Sequence, residues 1–439
     1  MYLVEKHIIN KTHSFYNECD ELCFKSKNIY NQGLYNVRQY YFENKKYLNY
    51  NSNYYVTKEQ ECYSYLPTKV FCQTLKLVDR NFKSFFSLLK NKEVKNKIPN
   101  YLDKENGRYV VIYPKQAIEL REFKRSGRLH LSQSNIYITT KVSDFSQIKE
   151  VRIIPRTDHY VIEVVYSVVE KQYKNTGIVS SIDLGLNNLA TVTFNNGEQP
   201  LLVNGRPIKS INQYYNKKKA RLQSKLKNNR HTSKNINKLT NKRNNKVNDY
   251  LHKASHMLVN QLVSKNVSTL VIGKNTSMKQ DINIGKKNNQ NFVQLPIFKF
   301  ANILKYKCEL RGIKVILNEE SYTSKCSFFD NEEITKHIEY VGKRIKRGLF
   351  RTQNGSVINA DVNGSYNIMK KSNPKCAIHK WDRGFRSESI VIKHKEIIFY
   401  VISYSFSTVI FFFAFTHELD EIPENSCLNF HLSSSKCLR

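Results

Sequence analysis

Acidic residues are scarce in this chain: 37 Asp and Glu stand against 71 Lys and Arg over 439 residues, a formal charge of +34. A folded chain with that imbalance repels itself unless a polyanion offsets it, so a merely soluble basic protein is disfavoured and a nucleic-acid partner is expected. Paired cysteines are missing as well. The nine thiols, at positions 19, 23, 62, 72, 308, 326, 376, 427 and 437, include no Cys-x-x-Cys. Cys19 and Cys23 stand four apart on an expected helix, and with no second pair nearby they read as core rather than as metal ligands. The residues from Met1 to Lys6 are not a signal peptide, and scattered thiols fit a reducing, intracellular setting: cytoplasm or nucleoid in a prokaryote, nucleus in a eukaryote.

The acid deficit is deepest between Glu198 and Asp249, where no Asp or Glu occurs and fourteen Lys and Arg do, from Arg206 to Lys246. A solvated helix face normally mixes both signs. Tyr215, Leu222 and Leu226 recur at helical intervals, so residues 206–246 read as a basic helical hairpin. Lys217, Lys218, Lys219, Arg221, Lys225, Lys242 and Arg243 are expected to lie along a nucleic-acid backbone, with an affinity that falls steeply with salt. Beyond them Val247, Tyr250, Leu251, Ala254, Met257, Leu258 and Leu262 form an amphipathic core helix.

The remaining periodicities divide the chain. Tyr2, Val4 and Ile8 mark a strand within residues 1–10. Val70, Leu75, Val78, Phe82, Phe85 and Leu89 follow the helical period after Pro67, inside a helical region 11–92. Residues 93–175 turn to alternation, with strands expected at 109–113, 135–140, 151–154 and 160–166. With the first strand they make a small β-barrel or sheet. Lys115, Arg121, Lys124, Arg125 and Arg128 lie between these strands, either holding phosphate or simply solvated. From 176 the order is three strands, helix, strand, helix, strand, helix, that of an RNase H-like fold, so the fold class expected is α/β multidomain.

Three carboxylates fit that order. Asp183 lies in the apolar strand Ile178 to Asp183, Glu320 follows the strand 313–318, and Asp361 opens the helical stretch 361–368. A carboxylate inside a buried-type strand is costly unless a cation meets it. In this topology the three can converge and hold two divalent ions for in-line phosphodiester hydrolysis. Mg²⁺ suits hard oxygen ligands, and without metal at least one pKa would rise.

The segments Ser181-Ile-Asp-Leu-Gly-Leu-Asn-Asn-Leu-Ala190, Glu320-Ser-Tyr-Thr-Ser-Lys325 and Asn359-Ala-Asp-Val-Asn-Gly-Ser-Tyr-Asn-Ile368 resemble the three signature regions of TnpB proteins. These are transposon-encoded RNA-guided DNA nucleases related to Fanzor proteins and type V CRISPR effectors, and the resemblance covers about residues 1–372. It implies a wedge-like β domain (1–10 and 93–175), a helical recognition insert (11–92) and a RuvC-type nuclease domain (176–372). It also implies a guide RNA from the transposon end and a double-stranded DNA target, and leaves room for a separate transposase from the same element. Asp183 would be the first catalytic carboxylate and Asp361 the last.

Two departures stand out. Where many members carry the middle glutamate this chain has Gly273, and the resemblance points instead to a glutamate relocated to Glu320. The move across one strand is ~5 Å, within reach of a glutamate side chain. Glu319 would face the other way by strand alternation if the strand continues through both. Loss of the site at Gly273 would leave a catalytically inactive nucleic-acid-binding relative, the alternative reading. The second departure is the zinc ribbon. Residues 322–358 carry only Cys326 and His337, too few for a four-ligand structural zinc, so a metal-free basic loop is expected, its Lys343, Arg344, Lys346 and Arg347 touching nucleic acid. The tail, 373–439, has no counterpart in the family. Its uncharged run 397–415 meets the length criterion for a membrane span but no other, and reads as a tail acquired by frameshift or by insertion beside a decaying mobile element rather than as a working anchor.

Overall fold

Alternating apolar residues form the first strand, β1 (Tyr2–Ile9), in a computed structural model that describes residues 1–89, 97–227, 230–274, 285, 289–290, 293–373 and 390–392. The chain divides into two units, Met1–Lys171 with Lys225–Leu239, and Gln172–Ser224 with Thr240–Arg439.

In the first unit the helices α1 (Tyr16–Asn44), α2 (Tyr50–Lys58) and α3 (Thr68–Leu89) follow β1. The apolar stripe of α3 is buried at Val70, Leu75, Val78 and Phe82, as its period predicts, whereas Leu89 ends exposed. Close approach of α1 requires Gly33, where a Cβ would stand 2.5 Å from Leu75 Cδ2. Next come β2 (Val111–Pro114), α4 (Leu120–Ser126), β3 (Arg128–His130), β4 (Tyr137–Thr139), β5 (Ile148–Pro155) and β6 (Tyr160–Ser167). The main sheet is antiparallel in the order β1-β6-β5-β2, and β3 pairs with β4 in a separate two-stranded sheet. Among the described residues β1 and β2 do not pair, so the sheet is open where a barrel-like closure is one expectation from sequence. The short α4, stopped by Gly127 at φ +70, has no counterpart in the sequence reading. Its length of two turns is too short to produce a readable apolar period.

The second unit opens with β7 (Val179–Asp183), β8 (Asn188–Phe194) and β9 (Leu201–Asn204), joined by tight turns. The basic region expected as a hairpin holds two helices, α5 (Arg206–Gln223) and α6 (Lys234–Ser264), whose residues to Leu239 belong to the first unit, and α6 runs on without a break through the amphipathic core segment. Then follow β10 (Thr269–Lys274), α7 (Ile297–Glu309), β11 (Lys314–Glu319), the small strands β12 (Lys343–Lys346), β13 (Leu349–Arg351) and β14 (Val357–Asn359), α8 (Ala360–Ser372) and β15 (Ile390–Ile392).

The sheet order is β11-β10-β7-β8-β9-β15. β10 and β11 run parallel to β7, and β8 runs antiparallel to it, so β7 lies inside a mixed sheet between β10 and β8. Ile182, Val192, Leu270 and Ile272 pack with Leu251, Leu258, Phe300 and Leu304 of α6 and α7 on one face. Val179 and Val271 pack with Ile368 and Met369 of α8 on the other. By the two-residue period of a strand, Asp183 and Gly273 therefore share the α8 face.

Two expectations are corrected here. Residues 322–358 are not a loop but carry an antiparallel sheet, β12-β13-β14. The tail is not wholly outside the second unit, because β15 adds a parallel edge to β9. The run 397–415 lies outside the described residues. Among those described, no helix is long and apolar enough to cross a membrane.

Candidate active site

Asp183 is the last residue of β7, opposite Thr191 of β8. The α8 helix crosses behind it at close range: a Cβ on Gly364 would lie 3.0 Å from Asp183 Oδ2. Buried hydroxyls hold that crossing. Ser181 Oγ donates to the Ser365 carbonyl at 2.6 Å, Ser365 Oγ donates to the Ser181 carbonyl at 3.1 Å, and Thr193 Oγ1 is 3.0 Å from Ser365 Oγ. Isolated polar groups in such a position would each be costly, and here they satisfy one another.

Asp361 enters from the first turn of α8. Asn359 caps the helix, its Oδ1 accepting from the amides of Asp361 and Val362 at 2.9 and 3.3 Å. A carboxylate in a first turn also meets the positive end of the helix dipole. One Asp361 oxygen accepts from Asn188 Nδ2 at 2.8 Å, and the other lies 3.5 Å from Arg344 Nη2 of β12.

Glu320 follows β11 directly. Its carboxylate fills the space above Gly273: a Cβ there would stand 2.6 Å from Glu320 Oε2 and 2.6 Å from Ile368 Cδ1. The segment after it is tied to α8 by two fully buried asparagines. Asn367 Nδ2 donates to the carbonyls of Thr323 and Cys326 at 2.9 and 2.7 Å, and Asn363 Nδ2 donates to the Cys326 carbonyl at 2.8 Å. Beside Glu320 a cavity of about 220 Å³ is lined by Leu184, Lys274, Phe298 and Asn302 among others. Glu319 turns outward: Lys371 of α8 and Ser321 bind its carboxylate, the former at 2.6 Å, and hold its pKa down. β11 stops at Glu319, so strand alternation does not run on through both glutamates.

The electrostatics follow from this crowding. Burial first, then the negative charges of Asp361 and Glu320, push the Asp183 carboxyl up to about 8, with Arg344 working the other way. Burial and Glu319 raise Glu320. Carboxylates from β7, the end of β11 and the start of α8 thus lie near enough to act on Asp183 electrostatically, although their oxygens do not all come within 4.8 Å of one another.

Of the other expected residues, Lys217, Lys218, Arg221, Lys225 and Lys242 are exposed, and Lys219 is half-buried near the Tyr215 ring. Arg243 is turned inward: it donates to Asn212 Oδ1 at 2.7 Å and to the Gln294 carbonyl at 3.0 Å, joining α5 and α6 to the segment before α7. Lys343, Lys346 and Arg347 are exposed in and beside β12. The sequence points Arg344 only toward nucleic acid, and its approach to Asp361 has no signal there, because the fold of the insert delivers it. Within the insert the donor atoms of Cys326, Glu332 and His337 lie within 4.8 Å of one another. Both Glu332 oxygens are already engaged, accepting from the Ser327 amide at 2.6 Å and the Val341 amide at 3.0 Å.

Residues 159–279 match the OrfB IS605 family model, described as a probable transposase, and residues 298–368 match the Cas12f1-like TNB domain. No curated protein matches the chain. Among solved structures, that of a Cas12f1–sgRNA–target DNA complex is similar at a TM-score of 0.54 and 16% identity, covering 82% of this chain and 83% of that one. A structure of the mini-RNA-guided endonuclease CRISPR-Cas phi3 matches at a TM-score of 0.45 and 9% identity, over 85% of this chain and 92% of the other. At 16% identity the first likeness is one of fold, an α/β multidomain architecture shared over most of both chains.

Proposed function

We propose, from the premise that this chain is a TnpB-type relative of the probable-transposase family, that it is an RNA-guided DNA endonuclease with a RuvC-type site at Asp183, Glu320 and Asp361. The observation that carries the reading is the placement of Asp183 at the end of β7 under Gly364 of α8, with Asp361 opening that helix and Glu320 over Gly273, an arrangement in which burial and the two other acids lift Asp183 to about 8. Such a cluster is costly as it stands, and a divalent cation removes the cost. Bound there by the three carboxylates, Mg²⁺ would supply Lewis-acid stabilisation of a phosphodiester transition state and a more acidic water.

The protein's own groups do the rest. Asn188 fixes one Asp361 oxygen, so that helix capping and this hydrogen bond set the carboxylate's direction. Arg344 brings a guanidinium to the edge of the cluster, where it can donate to a phosphate oxygen while Asp361 engages the cation. The exposed lysines of α5 and α6 give sequence-independent grip on a backbone, and base pairing with a guide RNA would supply the sequence. The likeness in fold to a protein solved with sgRNA and target DNA supports that choice of partners.

The test is cleavage of a plasmid library with randomised flanks by the protein co-expressed with its downstream DNA, in Mg²⁺. Cutting beside one enriched short motif is expected, lost in Asp183→Ala, Glu320→Ala and Asp361→Ala and kept in Glu319→Ala. RNA binding with no cutting under any condition would sink the nuclease reading and leave an inactive guided binder.

A further inference from the structure

The first unit holds a cavity of about 890 Å³ that the chemistry above does not use. It opens between α4 and the segment joining β4 to β5. Its floor is apolar and aromatic. Buried Phe123 packs on half-buried Phe145 with ring centroids 5.4 Å apart, and Leu120 stays 43% exposed beside them. A leucine that open, next to an aromatic floor, is an unfilled surface rather than core.

The rim is cationic, from Lys115, Lys124 and Lys141. Two neighbouring arginines share one carboxylate: Glu122 lies 2.6 Å from Arg125 and 3.8 Å from Arg128. No carboxylate pairs with any of the three lysines among the described residues. Lys115 instead donates to the Ser146 carbonyl at 3.0 Å and stands 5.2 Å from the Phe145 ring centre. The acid on the rim, Asp144, turns its carboxylate back on the Ser146 amide and hydroxyl. An apolar floor rimmed by three lysines, none of them in an ion pair among the described residues, fits a planar aromatic ligand carrying phosphates.

We propose that this cavity binds a single unpaired nucleotide of the guide RNA, its base on Phe145 and its flanking phosphates at Lys115, Lys124 and Lys141. The identity of the strand rests on the RNA-guided reading; the ligand chemistry does not. A base inside a duplex cannot reach the floor, whereas an unstacked base presents a π-face that an aromatic side chain accepts whatever its identity.

The experiment uses the full chain and a short single-stranded RNA carrying one iodouracil, irradiated and mapped by mass spectrometry, beside the matching DNA strand and a blunt RNA duplex. A crosslink at Phe145 with the single-stranded RNA is expected, with none from the duplex. The variant Lys124→Glu/Lys141→Glu, both positions exposed, should bind the RNA ~10-fold more weakly than Lys45→Glu/Lys46→Glu, which changes the charge equally elsewhere on the unit. Crosslinks only outside residues 115–146, equal loss in the two double variants, or a Phe145 crosslink with DNA and none with RNA would each overturn the proposal. Phe145→Leu, which keeps an apolar floor, should lose the crosslink with the melting temperature unchanged. Since the readout is crosslinking, failure of the nuclease reading would leave it intact, and its own failure would leave plasmid cleavage intact.

Discussion

Gly273 is the residue on which the site turns. Its missing side chain is the space that the Glu320 carboxylate occupies, so an alanine there must push the carboxylate away. Both atoms it would strike are the far ends of flexible side chains, so folding should lose only about 1–3 kcal/mol, while cleavage falls far more. Gly273→Glu with Glu320→Ala returns a carboxylate to the same space from the other strand and should recover part of the activity lost in Glu320→Ala. Equal activity of Gly273→Ala and the parent would sink the idea that this gap matters. Asp183 gives a pH test. Its folded value of about 8 lies above the roughly 3.9 of an unfolded chain, so the folded protein with its metal chelated holds a proton that the unfolded chain has released. That contribution to stability is complete below about pH 4 and is lost as pH rises to about 8. Thermal melts in chelator should show the melting temperature falling over that window, and Asp183→Asn should flatten the fall. These carboxylates are legible in sequence because each sits at a fixed point of a strand or helix. Arg344, Asn188 and the Ser181–Thr193–Ser365 hydroxyls are not, since their partners lie between 12 and 184 residues away in sequence and nothing local marks the pairing.

At the scale of elements, the insert between β11 and α8 is the instructive case. Counting Cys and His leaves too few for a four-ligand zinc, yet the inference that this makes a loop fails, because carboxylates and amides help to close a small sheet there. Glu332 bridges the amides of Ser327 and Val341, and Asp330 accepts from Ser327 Oγ and from the Gln353 amide at 3.0 Å. Together they tie three separate stretches of the insert, and β12 presents Arg344 to Asp361 from that frame. Elemental analysis of purified protein should therefore show no stoichiometric zinc, and Glu332→Gln, which keeps one acceptor oxygen, should weaken cleavage less than Glu332→Ala. One zinc per chain, lost together in Cys326→Ser and Glu332→Ala, would make the cluster a metal centre instead. The edge strand β15 is illegible for a different reason: three residues are too few to show a period, and they follow a long connection.

For the whole molecule, a charge of +34 fits the proposed nucleic-acid partner but does not say which cations would hold it. Their surroundings decide. Lys217, Lys218, Arg221 and Lys242 are exposed, whereas Arg243, one residue along from Lys242, spends its guanidinium on Asn212 and Gln294. Sequence treats the two neighbours alike because helical position alone separates an outward lysine from an inward arginine. Binding of RNA measured across a salt series separates them. Replacing Lys217, Lys218 or Lys242 by Ala should weaken binding alike on every sequence and reduce the slope of log affinity against log salt by about 0.7–1 for each phosphate no longer neutralised. Arg243→Ala should leave that slope unchanged and lower stability by about 1–3 kcal/mol, the cost of stranding buried partners, so a slope that falls with Arg243→Ala and not with the lysines would reverse the assignment.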